Sequence, residues 1–270
     1  MKGSSITVCL LTSAMVGWAA SDARAVTTFY DGSATISNPI STYTGFGLLQ
    51  NQENNANTAL KWTLYFDDVN YTTETGSELQ SFDTEAAAIA AGWTEFNSRA
   101  EENNFGYAGT NIAGGASLGE AGGVIHRSAP RGWYADTTIG TVDMATDNLF
   151  ASGYMVLDGS AADNTVYLGW INPADPANTQ RLGFVITEPN AAAGSAGARI
   201  AIGMSGAGGT QTEAQQVISN IANVPLYWEL SYNASTGELS GLIREVPEPT
   251  MFGLCSAGGL WLVRRRTRAA

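Results

Sequence analysis

Apolar and polar residues alternate with period two in short runs along most of the chain. Leu60-Lys61-Trp62-Thr63-Leu64-Tyr65-Phe66 sets the pattern. Similar runs occupy Gly123–Arg127, Leu149–Leu157, Thr165–Ile171, Arg181–Thr187, Arg199–Met204, Leu226–Tyr232 and Glu238–Ile243. Each is bounded by Gly, Pro, Asn or Asp, and alternation between such breakers predicts half-buried strands. Helical periodicity is sparse. Asp83 is placed to cap a short helix through Ala91 that Gly92 ends, and Thr212 to Ile221 reads as a second. The last two strands form the best-defined unit: Asn233-Ala234-Ser235-Thr236-Gly237 separates them, and Gly237 is free to take φ > 0.

Strands and helices do not alternate as they would in a parallel α/β sheet, so the pattern predicts an all-β, antiparallel sandwich or barrel. Residues 26–58 fit the alternation less well. The stretch 26–80 either adds strands to the sandwich or decorates it, and the polar run Asn51–Asn57 reads as a surface loop.

The two ends have a different character. Residues 1–25 form a positive start at Lys2, an apolar core from Ile6 to Ala20, and Ala23-Arg24-Ala25, an A-x-A pattern. This is the layout of a secretory signal peptide cleaved after Ala25 by the export route that begins at the Sec translocation machinery. A buried first helix is the structural alternative. At the other end, Val246-Pro247-Glu248-Pro249 is followed by an apolar run, Thr250 to Val263, and then by Arg264-Arg265-Arg266. This order resembles the PEP-CTERM sorting signal of Gram-negative bacteria that make an extracellular matrix. The resemblance implies recognition by an exosortase-type membrane enzyme, a transient inner-membrane association through a short C-terminal apolar helix (247–270), and delivery to the cell surface or beyond. The prolines stop any upstream strand, and the arginines hold the tail's end inside. The apolar run would span about 21 Å as a helix against a hydrocarbon core of about 30 Å, so a permanent anchor would be marginal. The ordinary alternative is an amphipathic terminal helix with a basic end.

Removing both ends leaves 26–246 as the body. It carries 7 Lys plus Arg and 23 Asp plus Glu, a net of −16, against −12 for the whole chain. That balance argues against nucleic-acid binding, which needs a basic face. Both cysteines, Cys9 and Cys255, lie in the ends, so the body has no disulfide and depends on a large core.

The terminal hairpin and a central stretch carry a second resemblance. That stretch runs Gly119-Glu120-Ala121-Gly122-Gly123, His126-Arg127, Trp133-Tyr134-Ala135-Asp136 and Ala151-Ser152-Gly153. It is similar to concanavalin A-like (laminin-G-like) domains of secreted bacterial proteins. The resemblance implies one jelly-roll β-sandwich and a binding role toward polysaccharide.

Candidate chemistry is thin, and no catalytic residue is assigned. Gly115-Ala116-Ser117-Leu118-Gly119 matches G-x-S-x-G, but Gly122-Gly123 opposes the helix a nucleophile elbow needs. His126 is the one histidine, which leaves the body without a His/Cys zinc set. No Glu-x-Asp-x-x-Glu strand is present to place glycosidase carboxylates on one face. Asp67, Asp68 and Asn70 offer oxygens of the kind calcium takes, or form an ordinary acidic turn. Glu120, Arg127, Arg131, Trp133, Tyr134 and Asp136 are the densest polar and aromatic group in an apolar centre. They read as a buried ion-paired network or as a sugar site with an aromatic platform. The sequence therefore favours an exported, polysaccharide-binding surface or matrix protein. A glycoside hydrolase or lyase of the same fold and a ligand-free structural protein are the alternatives.

Overall fold

Along Leu226–Asn233 the residues Leu226, Trp228, Leu230 and Tyr232 are buried while those between them reach solvent. That is the period-two pattern of a strand with one face on a core. In the computed structural model, which describes residues 26–37, 42–50, 61–95, 105–126, 132–159, 165–174, 180–187, 197–206, 209–219 and 221–246, such strands make up most of the described chain. In chain order they are β1 (Thr28–Thr35), β2 (Thr42–Tyr43), β3 (Gly45–Gln50), β4 (Lys61–Thr73) and β5 (Gly76–Gln80). A single described helix follows, α1 (Glu85–Ala90), and then β6 (Trp93–Glu95), β7 (Gly106–Ala108), β8 (Glu120–His126), β9 (Gly132–Asp136) and β10 (Val142–Asp143). The remainder are β11 (Leu149–Gly159), β12 (Thr165–Ile171), β13 (Arg181–Thr187), β14 (Gly197–Gly206), β15 (Gly209–Thr212), β16 (Gln216–Ser219), β17 (Leu226–Asn233) and β18 (Glu238–Glu245).

Two eight-stranded antiparallel sheets result. The first runs β1-β18-β17-β11-β4-β8-β7, with β5 also on β4. The second runs β15-β14-β13-β12-β3-β9-β6, with β16 also on β14. β2 and β10 form a separate short pair. The sheets pack face to face across one core to which both contribute, including Leu64, Phe66, Trp228 and Leu230 from the first and Phe46, Leu168, Trp170 and Phe184 from the second. Their edges are joined where the Tyr30 hydroxyl donates to Glu213 and Gln216 Nε2 donates to the Asp31 carbonyl at 3.3 Å.

The N-terminal stretch completes the sandwich: β1 is an edge strand of the first sheet, and β3 lies between β12 and β9 in the second. The short helix forms, with Thr84 rather than Asp83 as its cap; the Thr84 side chain accepts from Ala87 N at 3.1 Å. The helix expected over 212–221 does not form. Thr212 ends β15 and Gln216–Ser219 form β16, and both strands pair with β14. Helix propensity there gives way to the unpaired hydrogen-bonding groups of β14. Asn51–Asn57 and the two terminal segments, 1–25 and 247–270, lie outside the described residues.

Gly169 and Gly183 face each other across β12 and β13 with φ of +153° and +155°. A Cβ on either would lie 2.1 Å from a carbonyl oxygen of the opposite strand. On the same outer face, their bare backbone separates Arg181 from Tyr167 and leaves the guanidinium room to reach that ring, 3.3 Å from its centroid. Arg181 is buried, and its Nη1 has no hydrogen-bond partner. Burial lowers its pKa from the ordinary value, so the ring's negative face takes the place of a carboxylate. Gly183→Ala is expected to destabilise the protein by about 1–3 kcal/mol, because backbone cannot give way to a new methyl group. Gly109→Ala, where nothing lies within 4 Å of the added Cβ, is expected to stay within about 0.5 kcal/mol of the parent. Urea unfolding midpoints of the two variants check this.

Candidate functional site

The described members of the polar centre picked out by the sequence, Glu120, Tyr134 and Asp136, are buried, and each is held by other parts of the chain. Glu120 opens β8 and is fully buried. Its carboxylate accepts from Ile112 N at 2.9 Å, Ala113 N at 2.7 Å and Thr110 Oγ1 at 2.5 Å. Both oxygens are thereby committed to holding the 109–119 loop, which is closed at its base by Gly119 N on the Thr110 carbonyl. That loop contains the G-x-S-x-G stretch, with no helix after the serine. Asp136 ends β9 in the other sheet. Its Oδ2 accepts from the Tyr71 hydroxyl at 2.8 Å, and its Oδ1 accepts from Thr138 N and Oγ1, both at 2.7 Å. Tyr71 in turn accepts from Trp93 Nε1 at 3.0 Å. Tyr134 is buried against the rings of Trp93 and Phe82, with centroids 5.4 and 6.2 Å away. Burial, followed by the nearby carboxylates, pushes the hydroxyls of Tyr71 and Tyr134 well above the usual phenol range. Glu120 and Asp136 thus stand on different sheets and serve different loops. Trp133 and His126 lie on β9 and β8, but their side chains are outside the description, as are Arg127 and Arg131 altogether.

The sequence reading missed an open face. β11, β17, β18 and β1 turn one set of residues away from the core, and register sorts that set into three rows. Tyr154, Tyr227 and Arg244 lie side by side in the first. Ser152, Glu229, Leu242 and Asp31 form the second, and Phe150, Ser231, Ser240 and Ser33 the third. The Tyr154 and Tyr227 rings meet edge to face at 5.6 Å, and the Arg244 guanidinium sits 4.8 Å from the Tyr227 centroid. The Tyr227 hydroxyl is held between Ser152 and Glu229, and its pKa is raised by burial and then by the Glu229 bond and charge. Phe150, the second residue of β11, is 43% exposed, and the Ser231 and Ser240 hydroxyls are 2.7 Å apart. A cleft of about 390 Å³ opens at the first row between Tyr154, Tyr227, Arg244, Glu245, Val26 and Val246. A second, of about 210 Å³, runs past Phe150, Glu229, Ser231, Ser240, Leu242 and Asp31. The alternation of β17 could have shown that Tyr227 points outward. Its meeting with Tyr154 depends on a pairing between strands far apart in the chain.

Asp67 and Asp68 lie where β4 changes partners, from β8 up to Phe66 to β5 from Val69 onward. The ladder with β11 is irregular here, and Asp68 has φ +47°. Asp67 Oδ1 accepts from Asp68 N at 2.7 Å, and Asp68 Oδ2 accepts from Ala116 N at 2.8 Å. Asp67 Oδ2 is buried without a hydrogen-bond partner and lies against Gly115, where a Cβ would come within 1.8 Å of it. The two carboxylates are thus turned toward the backbone of one loop. Asn70 lies two residues beyond the pair, opposite Ser152 on β11 and Leu79 on β5. Among the described residues no three His, Cys, Asp or Glu side chains come together in a way that could hold a metal ion. Burial first, then the charges of Asp68, Glu120 and Asp83, push Asp67 up to about 7 against the lowering effect of its backbone bond. The folded protein therefore keeps a proton that the unfolded chain releases near 3.8, and its stability falls as pH rises from about 4 to about 7. Asp67→Asn should remove that slope, raising the melting midpoint at pH 8 and leaving it nearly unchanged at pH 4. Thermal melts of both proteins across this range check the sign.

Compared with known proteins, the chain matches no family model, no curated protein and no solved structure.

Proposed function

We propose that this chain is an exported bacterial cell-surface or extracellular-matrix protein whose jelly-roll body binds polysaccharide and whose C-terminal signal is processed by an exosortase-type enzyme. The observation that carries the binding part is the row Tyr154–Tyr227–Arg244 with its cleft, on a sheet face that no described element covers. Flat rings beside carboxylates and serine hydroxyls are what a sugar needs, with C–H groups on the ring face and hydroxyls bonded at its rim. The sorting part rests on Pro247-Glu248-Pro249, the apolar run and Arg264-Arg265-Arg266. It is supported by the position of the body's two ends. Glu245 N donates to the Thr27 carbonyl at 2.8 Å, so the two ends of the described body lie together, as suits a chain with export signals at both ends. A ligand-free structural role is the second reading, favoured by the way Glu120 and Asp136 spend their oxygens on internal bonds.

Affinity electrophoresis of the full chain through polysaccharide-containing gels tests the binding. Tyr154→Ala should weaken it about tenfold, ~1.4 kcal/mol, with the melting midpoint little changed. Saturable binding that ignores this change would remove the face from the proposal, and the absence of any binding would favour the structural role. Replacing Pro247, Glu248 and Pro249 together by alanine should leave the protein uncleaved in the inner-membrane fraction. Cell fractionation with an antibody to the body reads this out.

A further inference from the structure

Resting on that reading of the Tyr154–Tyr227 face, we infer that the polymer it takes carries free amino groups: an amino-sugar chain that has lost part of its N-acetyl substitution. The charges of the face select this occupant. Asp31, Glu229 and Glu245 line the two clefts, and none of them forms an ion pair among the described residues. Arg244, the cation beside them, is turned onto the Tyr227 ring. Behind the face stands a body of net charge −16. Such a surface gathers cations and repels polymers of uronate or sulfate.

Geometry supplies the rest. Phe150 and Tyr154 are four residues apart on one face of β11, about 13 Å along the strand. Between and beside them lie Ser152, Ser231 and Ser240, with Glu229 in the middle row. An extended chain along β11 and β17 would rest sugar faces on Phe150 and Tyr154. Its hydroxyls would meet the serines, and its ammonium groups would fall near Glu229 and Asp31 in the middle row and near Glu245 beside the first row. An ammonium over an aromatic face gains a cation–π term as well.

The test uses the full chain and a soluble glucosamine polymer, with the same polymer re-N-acetylated and a polyuronate as comparisons. Binding is followed by calorimetry at low and high salt. The expected result is binding of the glucosamine polymer that weakens about tenfold as added salt screens the charges. It should also drop about tenfold in Tyr154→Ala, and by a smaller factor in the double variant Asp31→Asn, Glu245→Gln. The acetylated polymer should bind weakly and the polyuronate should not bind. Diffuse attraction of a polycation to an acidic protein would ignore Tyr154→Ala, so an unchanged affinity in that variant overturns the inference. Equal binding of the acetylated polymer, salt-independent binding, or preference for the polyuronate would overturn the amino-group assignment while leaving polysaccharide binding in place. Failure of all three polymers, and of a neutral glucan run beside them, would overturn the binding reading itself. Melting curves of each variant separate lost contacts from lost fold.

Discussion

The sandwich is pinned by one stacked pair of rings. Phe46 from the middle of the second sheet and Tyr71 from the first lie 4.6 Å apart and nearly parallel, at 4°. Around them Trp170 and Trp93 stand edge on, at 5.2 Å from Phe46 and 5.9 Å from Tyr71. Each of these tryptophans also spends its N–H across the interface. Trp170 Nε1 donates to the Thr72 carbonyl at 3.1 Å, and Trp93 Nε1 donates to Tyr71, whose own proton goes to Asp136. Aromatic pairs contribute about 0.5–1.5 kcal/mol each beyond area, and a hydrogen bond to a charged group about 1.5–3 kcal/mol. The body has no disulfide, so these directional contacts fix how the two sheets sit on one another. The buried area alone would allow them to slide.

The same pin explains why the central carboxylates are structural. Asp136 has to lie inside, because the Tyr71 hydroxyl and the 136–138 turn both need an acceptor there. Glu120 has to lie inside because the 109–119 loop is rich in glycine and offers its own amides few partners; the carboxylate supplies them. A polar group in the core costs little once each lone pair is met. Asp67 is the exception. Its second oxygen is unmet, and the proton it gains near neutral pH is how the fold limits the cost of burying it.

Much of the architecture was legible because strands with one buried face announce their period. Thr165–Ile171 and Arg181–Thr187 form β12 and β13 with the expected bounds, and the terminal hairpin turns at Gly237, with φ +69°. The strands that escaped notice lack the period for physical reasons. β3, Gly-Phe-Gly-Leu-Leu-Gln, is a mid-sheet strand with Phe46 and Leu48 on the core and Leu49 buried on the other face. β15 and β16 owe their state to β14 beside them. The candidate site divides in the same way. A Glu in an apolar stretch is visible in sequence, but the backbone amides it satisfies are not. Tyr154 and Tyr227 are each visible as outward residues of a strand, but only register makes them neighbours.

Register also links the fold to the proposed route of export. β1, the first strand, has β18, the last, as its neighbour in the sheet, and Thr28 pairs with Arg244. An edge strand gains little by itself, since a lone strand cannot bury its apolar face or satisfy its backbone. The first sheet is therefore completed only after Glu245 has emerged, and long-range pairings of this kind form slowly. On the proposed route of export, a chain whose first and last strands pair with each other cannot complete its sheet while it is being threaded through a membrane. Once closed, the body holds Thr27 and Glu245 together at one pole. The cleft lined by Val26, Glu245 and Val246 comes into being with that closure, so the site proposed for polysaccharide exists only in the completed fold.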